Sequence, residues 1–233
     1  MIVHGINPIN EALNSKNLPE TIYVLRNKEN PRIRAIVKRC EYLNIPVEKV
    51  NDMNNLCKRN AVHQGVAGLF PGEDYLASWK DLSELPEDAN KLIIFDGIND
   101  PHNFGAACRV CDVFGYDQII SHEGDSSDLT AVAIKSSSGA IFHLNLYKCN
   151  LNKAVKTLKE KGYELFALDA QGEIDIHNVE LPEKYIIIIG NEGEGVRHNI
   201  KRESTLLSIP MKGHIDSLNV SCALSATLCV LSK

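Results

Sequence analysis

The segment Tyr185-Ile186-Ile187-Ile188-Ile189 places the strongest constraint on the fold of this 233-residue chain. Its four consecutive isoleucines present apolar side chains to both faces of a strand, which is typical of a central strand in a parallel sheet covered by helices on both sides. Leu92–Phe95 and Thr205–Ile209 are further apolar strand patterns, and Leu151–Lys161 between them has the spacing of an amphipathic helix. Strands that alternate with helices predict an α/β domain with a mostly parallel sheet.

The N-terminal part of the chain shows a smaller alternation of the same kind. It contains a strand pattern at Thr21–Leu25 and a helical pattern at Pro31–Leu43. Asn7 followed by Pro8 predicts a helix that begins at the proline, and Asp52–Arg59 is expected to form a short helix. This part therefore predicts a separate small α/β domain.

A change of composition after this part marks a domain boundary. Residues 1–70 carry 10 Lys and Arg against 6 Asp and Glu, whereas residues 71–90 carry 1 against 6 and begin with Pro and Gly. We therefore expect a small domain over 1–70, a linker over 71–90 and a larger domain over 91–233. The basic excess of residues 1–70 fits a surface that binds phosphates and fits an ordinary solvated surface equally well.

Several classes of protein are disfavoured by what the sequence lacks. No apolar run approaches the roughly 18–20 residues that span a bilayer, and Met1–Gly5 does not open a signal peptide, so we expect a cytoplasmic protein. The seven cysteines are scattered, which is typical of reduced thiols. Cys108 and Cys111 form a C-x-x-C pair, but no second pair stands at zinc spacing. We expect buried helix cysteines there, and no metal site.

Three loops that follow predicted strands are rich in glycine, asparagine and charge. The first runs from Asp96 into a helix, where Asn103 is placed to cap the helix and Arg109 follows on it. Taken alone, this loop is better explained by a capped helix whose arginine forms a salt bridge than by a catalytic site. Ligands of α/β sheets nevertheless bind at such loops, beyond the carboxyl ends of the strands.

The second loop, Gly190–Arg197, has three glycines within six residues. It lacks the Gly-Lys-Ser/Thr of a phosphate-binding loop and the third glycine of a dinucleotide fingerprint. The third loop, Ile209–Ser221, leads into the last helix, which Ser217 or Asn219 is placed to cap. Each of these loops, taken alone, also fits a connection without any function.

The order and spacing of the three loops resemble the three motifs of the SpoU branch (TrmH-like) of the SPOUT RNA methyltransferases. Asn103-Phe104-Gly105-Ala106-Ala107-Cys108-Arg109 resembles the N-x-G-x-x-x-R element, Gly190–Gly195 the glycine- and glutamate-containing element, and Ile209–Ser221 the I-P-M … S-L-N-V-S element. His4–Leu13 and His63–Ala67 resemble the ends of the RNA-binding domain in the subgroup that modifies a guanosine of 23S ribosomal RNA.

The resemblance implies an S-adenosylmethionine-dependent transfer of a methyl group to a ribose 2′-hydroxyl. It implies an L30e-like RNA-binding domain followed by a SPOUT domain with a deep trefoil knot, and a homodimer whose active site draws on both chains. Backbone groups at Gly190, Ile209 and Leu218 would hold the cofactor. The catalytic set would be Asn103, Arg109, Glu192, Ser217 and Asn219.

Three other functions stay open at this point. A transfer RNA 2′-O-methyltransferase of the same superfamily would share the motifs, although the separate front domain favours ribosomal RNA. A catalytically inactive RNA-binding protein would not need the polar residues that this chain keeps. A nucleotide-binding α/β module is disfavoured by the missing phosphate-loop motifs.

Overall fold

The computed structural model describes residues 1–27, 30–58, 61–71, 79–124, 126–215 and 217–232. Within these ranges the chain forms a four-stranded sheet and a seven-stranded sheet. The elements of the first sheet are β1 (Ile2–His4), α1 (Ile6–Asn14), β2 (Thr21–Leu25), α2 (Pro31–Leu43), β3 (Val47–Val50) and β4 (Val66–Leu69). The strand order is β1-β4-β2-β3, in which β4 is antiparallel to both neighbours and β2 is parallel to β3.

Helix α2 has the bounds that its sequence predicts, because local signals mark both its start and its end. The Asn30 side chain accepts a hydrogen bond from the Arg32 backbone N–H at 2.9 Å, and Pro31 occupies the first helical position. The helix ends at Asn44, whose φ of 56° is in the left-handed region that a helix C-terminus favours.

Two local predictions in this part are wrong. Helix α1 begins at Ile6 after Gly5, so Asn7 does not cap it and Pro8 lies inside its first turn. Residues 52–58 form bends and turns rather than a helix, with the Met53 carbonyl accepting hydrogen bonds from two later N–H groups. Arg59 and residues 72–78 of the expected linker lie outside the described residues.

The second sheet begins after a 3-10 turn at Leu82–Glu84. Its elements are β5 (Lys91–Asp96), α3 (Pro101–Val113), β6 (Gln118–His122), α4 (Ala131–Ser136), a 3-10 turn (Ala140–His143), β7 (Asn145–Cys149), α5 (Leu151–Glu160), β8 (Glu164–Leu168), β9 (Ile174–Asp175), β10 (Tyr185–Gly190), α6 (His198–Lys201), β11 (Thr205–Ser208) and α7 (Val220–Leu231). The order is β7-β6-β5-β10-β8-β11-β9, and every neighbouring pair is parallel.

The isoleucine strand β10 lies between β5 and β8, as its apolar faces predict. Ile187 and Ile189 pack into the core on one face, which also contains buried residues of α3 and α7. Ile186 and Ile188 pack on the other face with buried residues of α5. The predicted α/β class with a parallel sheet is thereby confirmed.

The two sheets share side-chain contacts around α4 and the 3-10 turn that follows it. Lys135 Nζ lies 3.3 Å from His4 Nδ1, and the Phe70 and Phe142 rings stack with centroids 6.1 Å apart. Burial lowers the pKa of His4, as do the nearby Lys135 and His63. Within the described ranges, no helix is both long and apolar enough to cross a membrane.

Candidate active site

A cleft of about 250 Å³ opens at the carboxyl ends of β8, β10 and β11. The second and third loops form two of its walls, and the first residues of α7 form part of its base. Its lining comprises Leu168, Asp169, Ala170, Ile189, Gly190, Asn191, Glu192, Gly193, Glu194, Gly195, Lys201, Leu207, Ile209, Met211, Ser217, Leu218, Val220 and Ala223. Predicted site residues from two of the three loops therefore meet at one place.

The first loop joins this cleft through a triangle of side-chain hydrogen bonds. Asn103 Nδ2 donates to Glu192 Oε1 at 3.1 Å, and Asn219 Nδ2 donates to the same oxygen at 2.5 Å. Asn219 Nδ2 also donates to Asn103 Oδ1 at 3.0 Å. These three residues come from the three separate loops, so the triangle ties all three together at the mouth of the cleft.

The prediction that Asn103 caps its helix is wrong. Helix α3 begins earlier, at Pro101, and Asp100 is its N-cap, with its carboxylate accepting from the His102 N–H at 2.7 Å. Asn103 is therefore a residue of the first turn, and its amide is available for Glu192 and Asn219. Gly105 lets α3 approach α4 closely, because a Cβ built there would lie 2.2 Å from the Ala133 carbonyl oxygen.

Asn219, one of the two predicted candidates, caps the last helix. Its Oδ1 accepts from the Ser221 N–H at 3.0 Å and from Ser221 Oγ at 2.7 Å, and α7 begins at Val220. One side chain thus fixes the start of α7 with its oxygen and contacts Asn103 and Glu192 with its amide. Ser217, the other candidate, lies on the cleft wall beside Leu218.

The glycine-rich loop after β10 turns back sharply on itself. A Cβ built on Gly190 would lie 2.0 Å from the Gly195 carbonyl carbon, so no side chain fits at this position. Asn191 Oδ1 accepts from the backbone N–H groups of Gly193 at 2.9 Å and Glu194 at 2.7 Å. These hydrogen bonds stabilise the turn, whose residues Gly190–Gly195 line the cleft.

The far end of this loop is held by a carboxylate that the sequence did not single out. Asp96, at the end of β5, has a fully buried side chain whose Oδ2 accepts from the Arg197 backbone N–H at 2.7 Å. The Arg197 Nε lies 2.9 Å from Asp96 Oδ1, which forms an ion pair. A buried charge needs such a partner, so Asp96 and Arg197 join the end of β5 to the end of the glycine-rich loop.

A second ion pair, which the sequence also did not indicate, lies in the cleft wall. Asp169, just after β8, has Oδ2 at 2.5 Å from Lys201 Nζ, and its Oδ1 accepts from the Gln171 N–H at 2.8 Å. Burial raises the pKa of Asp169, but the hydrogen bonds from Lys201 and Gln171 outweigh it, so the pKa lies below the ordinary value. Single polar residues outside recognised motifs gave no sequence signal for this pair.

Arg109 does not lie in the triangle. It is exposed, and its guanidinium has no hydrogen bond or ion pair with any residue that the structure describes. It lies six positions after Asn103 on α3, which turns its side chain about 240° around the helix and moves it about 9 Å along the axis. Within one chain, Asn103 and Arg109 therefore point in different directions.

The C-x-x-C pair belongs to the core. Cys108 and Cys111 are both fully buried in α3, and burial raises the pKa of both thiols well above the ordinary value. Among the described residues, no group of three His, Cys, Asp or Glu side chains is arranged to hold a metal ion. The pair therefore packs as small apolar side chains.

The sequence profile of the SpoU rRNA Methylase family matches residues 90–229, the part that contains the cleft and all three loops. The chain belongs to the SpoU rRNA methylase family. A second profile, described as RNA 2′-O ribose methyltransferase substrate binding, matches residues 2–76.

Two curated relatives of this SpoU chain are similar over nearly the whole length. The 23S rRNA (guanosine-2′-O-)-methyltransferase RlmB of Neisseria meningitidis serogroup B is 32% identical over 231 residues, with 97% of this chain and 92% of that protein covered. The protein of the same name from Haemophilus ducreyi is 32% identical over 237 residues, with 97% and 94% covered.

The fold agrees with that of solved members of the family. The crystal structure of the SpoU methyltransferase AviRb from Streptomyces viridochromogenes, in complex with AdoMet, superposes with a TM-score of 0.76. It covers 100% of this chain and 89% of its own at 22% identity, which shows a shared fold.

Proposed function

We propose that this protein transfers a methyl group from S-adenosyl-L-methionine to a ribose 2′-hydroxyl in RNA, at a guanosine of 23S ribosomal RNA. The hydrogen-bond triangle of Asn103, Glu192 and Asn219 at the mouth of the cleft carries the proposal, because it gathers polar groups from all three motif loops at one point. The 32% identity to two RlmB proteins supports the choice of reaction and of RNA.

The lining of the cleft fits the chemistry of this cofactor. Apolar side chains such as Leu168, Leu207 and Val220 suit an adenine ring, and the carboxylate of Glu192 suits a cationic sulfonium. The close approach of Gly190 to Gly195 excludes any side chain there and leaves backbone groups as the contacts. We place the cofactor against Gly190, Ile209 and Leu218.

When bound, the cofactor supplies an electrophilic methyl group, and the chain must position the ribose hydroxyl and help to remove its proton. Asn103 and Asn219, both held by Glu192, would orient the ribose, and Ser217 would complete the polar wall. Arg109 would bind the adjacent phosphate or stabilise the developing alkoxide, because a guanidinium stays protonated in proteins and acts as a cation rather than as a base.

The placement of Arg109 leads us to include a homodimer in the proposal. Arg109 is exposed on α3, which packs against α7, and apolar side chains nearby on both helices are also exposed or half-exposed, including Val113 at 69%. A second copy that covered this surface would bring Arg109 of the partner subunit towards the triangle. The deep trefoil knot expected around the last loop is part of the same proposal.

Mixing two inactive variants tests whether each active site contains residues of both chains. Arg109→Ala and Glu192→Ala are each expected to lose methyl transfer. Dimers reassembled from an equal mixture should recover about a quarter of the wild-type activity, because half of them are mixed and each mixed dimer contains one intact site. Activity no higher than that of either variant alone would contradict a shared site.

The ribosomal substrate is supported over transfer RNA by relatives named as 23S rRNA enzymes that match 97% of this chain. The substrate-binding profile at residues 2–76 supports RNA binding by the first domain. We propose residues 1–70 as the RNA-binding domain, 71–90 as the linker and 91–233 as the methyltransferase domain, acting in the cytoplasm.

Transcripts of 23S rRNA and of transfer RNA, incubated with labelled cofactor and mapped for the modified nucleotide, test the choice between the two RNA substrates. Label in transfer RNA alone would refute the ribosomal substrate.

A catalytically inactive RNA-binding protein is separated from an enzyme by the same assay. An inactive protein would bind the ribosomal transcript and transfer no label to any RNA offered, at any cofactor concentration.

A further inference from the structure

Helix α2 presents a basic face to solvent that the cleft does not use. Its buried side is formed by Ile33, Ile36 and Cys40. At 100° per residue, Lys38 and Tyr42 lie nearly opposite this side, with Arg34 and Arg39 flanking them. All four are exposed. We call these four residues the α2 face.

Tyr42 is the centre of the α2 face and is 76% exposed. The Arg39 guanidinium lies 5.3 Å from the centroid of the Tyr42 ring, a cation–π distance, so the ring is supported on one side and open to solvent elsewhere. An aromatic ring held in this way has a flat surface available for stacking.

The charges of the α2 face are not neutralised within the described part of the chain. Neither Arg34, Lys38 nor Arg39 has an Asp or Glu oxygen within ion-pair distance there, and Glu41 is the one acidic residue of the helix. Arg32, the fourth basic residue of α2, is instead bonded to the Asn7 side chain. The face therefore has cations without carboxylate partners around one aromatic ring.

We propose that the α2 face binds an unpaired segment of the RNA substrate, with Arg34, Lys38 and Arg39 on phosphates and a base stacked on Tyr42. The proposal rests on the proposed function for the identity of the RNA. Single-stranded RNA is recognised by this combination, since cations follow the backbone and every base has a face that stacks on an aromatic ring.

Binding of a 23S rRNA transcript, measured over a series of salt concentrations, tests the two contributions separately. The triple variant Arg34→Gln, Lys38→Gln, Arg39→Gln should weaken binding and reduce the slope of log affinity against log salt by about two, because three cations no longer neutralise phosphates of a single strand. Tyr42→Leu should weaken binding by about 5- to 150-fold, the usual value of one stacked base, with little change of slope.

Matched variants make these results specific. Tyr42→Phe keeps the ring and should bind as the wild type does. A triple variant of Lys153, Lys156 and Lys161 to Gln removes the same charge from exposed positions on or beside α5 and should leave the slope nearly unchanged. Thermal unfolding of each variant shows whether it is folded, which is expected because all the replaced side chains are exposed.

Two outcomes overturn the proposal. Wild-type affinity and salt slope in the α2 triple variant would rule out the phosphate contacts, and equal binding by Tyr42→Leu and Tyr42→Phe would rule out the stacked base. Methyl transfer by the wild type to the same transcript is measured in parallel. Methyl transfer by the wild type, together with unchanged RNA binding by the α2 variants, would contradict this inference alone. Absence of methyl transfer to any RNA would contradict the proposed function.

Discussion

The cleft and the α2 face are both polar surfaces, but they are built in opposite ways. Asn103, Glu192 and Asn219 lie up to 116 residues apart in the chain and are hydrogen-bonded to one another. The cations of the α2 face lie on one helix and have no carboxylate partner among the described residues. The cleft is therefore organised before any ligand binds, whereas the α2 face offers charges that a ligand can neutralise.

This difference predicts different consequences of mutation. Organised polar groups act on the rate of a reaction because they need no rearrangement at the moment of transfer. Unpaired surface cations act on affinity and on its dependence on salt. Arg109 is the residue that tests the distinction, since it is exposed like the cations of α2 and yet belongs to the motif of the cleft.

The largest effect is expected from Arg109→Ala. Methyl transfer at saturating RNA should fall by at least about 100-fold, in the range found when a charge-stabilising donor is removed. Binding of S-adenosylhomocysteine should be largely kept, because Arg109 does not line the cleft of its own chain. Single-turnover rates and calorimetric titration measure the two quantities. A normal rate with weakened RNA binding would place Arg109 with the surface cations instead.

Gly190→Ala should have the next largest effect. The new Cβ would lie 2.0 Å from the Gly195 carbonyl carbon, so the glycine-rich loop must move. Overpacking of this kind costs about 1–3 kcal/mol, and cofactor affinity should fall as well. Urea unfolding and S-adenosylhomocysteine titration measure both losses. Gly193→Ala is the matched control, since its Cβ would approach Asn191 Oδ1 to an ordinary 3.7 Å; equal losses in the two variants would contradict the explanation.

Lys201→Met should lower the free energy of unfolding at neutral pH by about 1–2 kcal/mol, the value of a charged hydrogen bond in a half-buried site. The pKa of Asp169 is lowered in the folded protein, so its contribution is present above the unfolded pKa and is lost as the pH falls through the folded pKa. The difference in the free energy of unfolding between the wild type and Lys201→Met should therefore shrink in acid, below the ordinary Asp pKa. Urea unfolding at neutral and acid pH measures it.

Lys201→Arg keeps the charge and serves as the control for this prediction. It should retain most of the stability and of the cofactor affinity. A pH-independent difference between Lys201→Met and the wild type would show that packing of the lysine stem, rather than the ion pair, is responsible.

The smallest effect is expected where the two sheets meet. Glu11 Oε2 lies 3.0 Å from His143 Nε2, and both side chains are about a third exposed, at 35% and 36%. Glu11→Gln should lower the free energy of unfolding by less than about 1 kcal/mol, as exposed pairs usually do. Chemical denaturation measures this change, and a loss of several kcal/mol would show that this contact contributes much more than its exposure suggests.

The elements of the fold were predictable where local signals were complete. Helix α2 has a capping asparagine, a proline at its first position and a regular apolar stripe, so both its bounds were correct. Helix α3 was misjudged because Asp100-Pro101 and Asn103 are both plausible starts, and the earlier one prevails in the structure. The expected helix at Asp52–Arg59 failed because a few residues of suitable composition do not outweigh the cost of starting a helix.

The site residues also divide into those that the sequence could identify and those that it could not. The motif positions Asn103, Glu192 and Asn219 could be named from the sequence, because glycines and polar residues recur there at fixed spacing. Asp96, Asp169 and Lys201 could not, since a lone charged residue at a strand or helix end has many explanations. Only the pairing of Asp96 with Arg197 and of Asp169 with Lys201 shows that these charges shape the walls of the cleft.

The sequence by itself determined the alternation of strands and helices, the central place of Tyr185–Ile189 and the identity of the three loops. These follow from short-range patterns of apolar side chains and turn residues, which act within a few positions of the chain. The tertiary structure alone decided that Asn103 contacts Glu192 and Asn219 instead of capping its helix. That contact depends on β10 lying beside β5 and on α7 packing against α3, and such long-range neighbours are selected by burial of the whole core rather than by any local pattern.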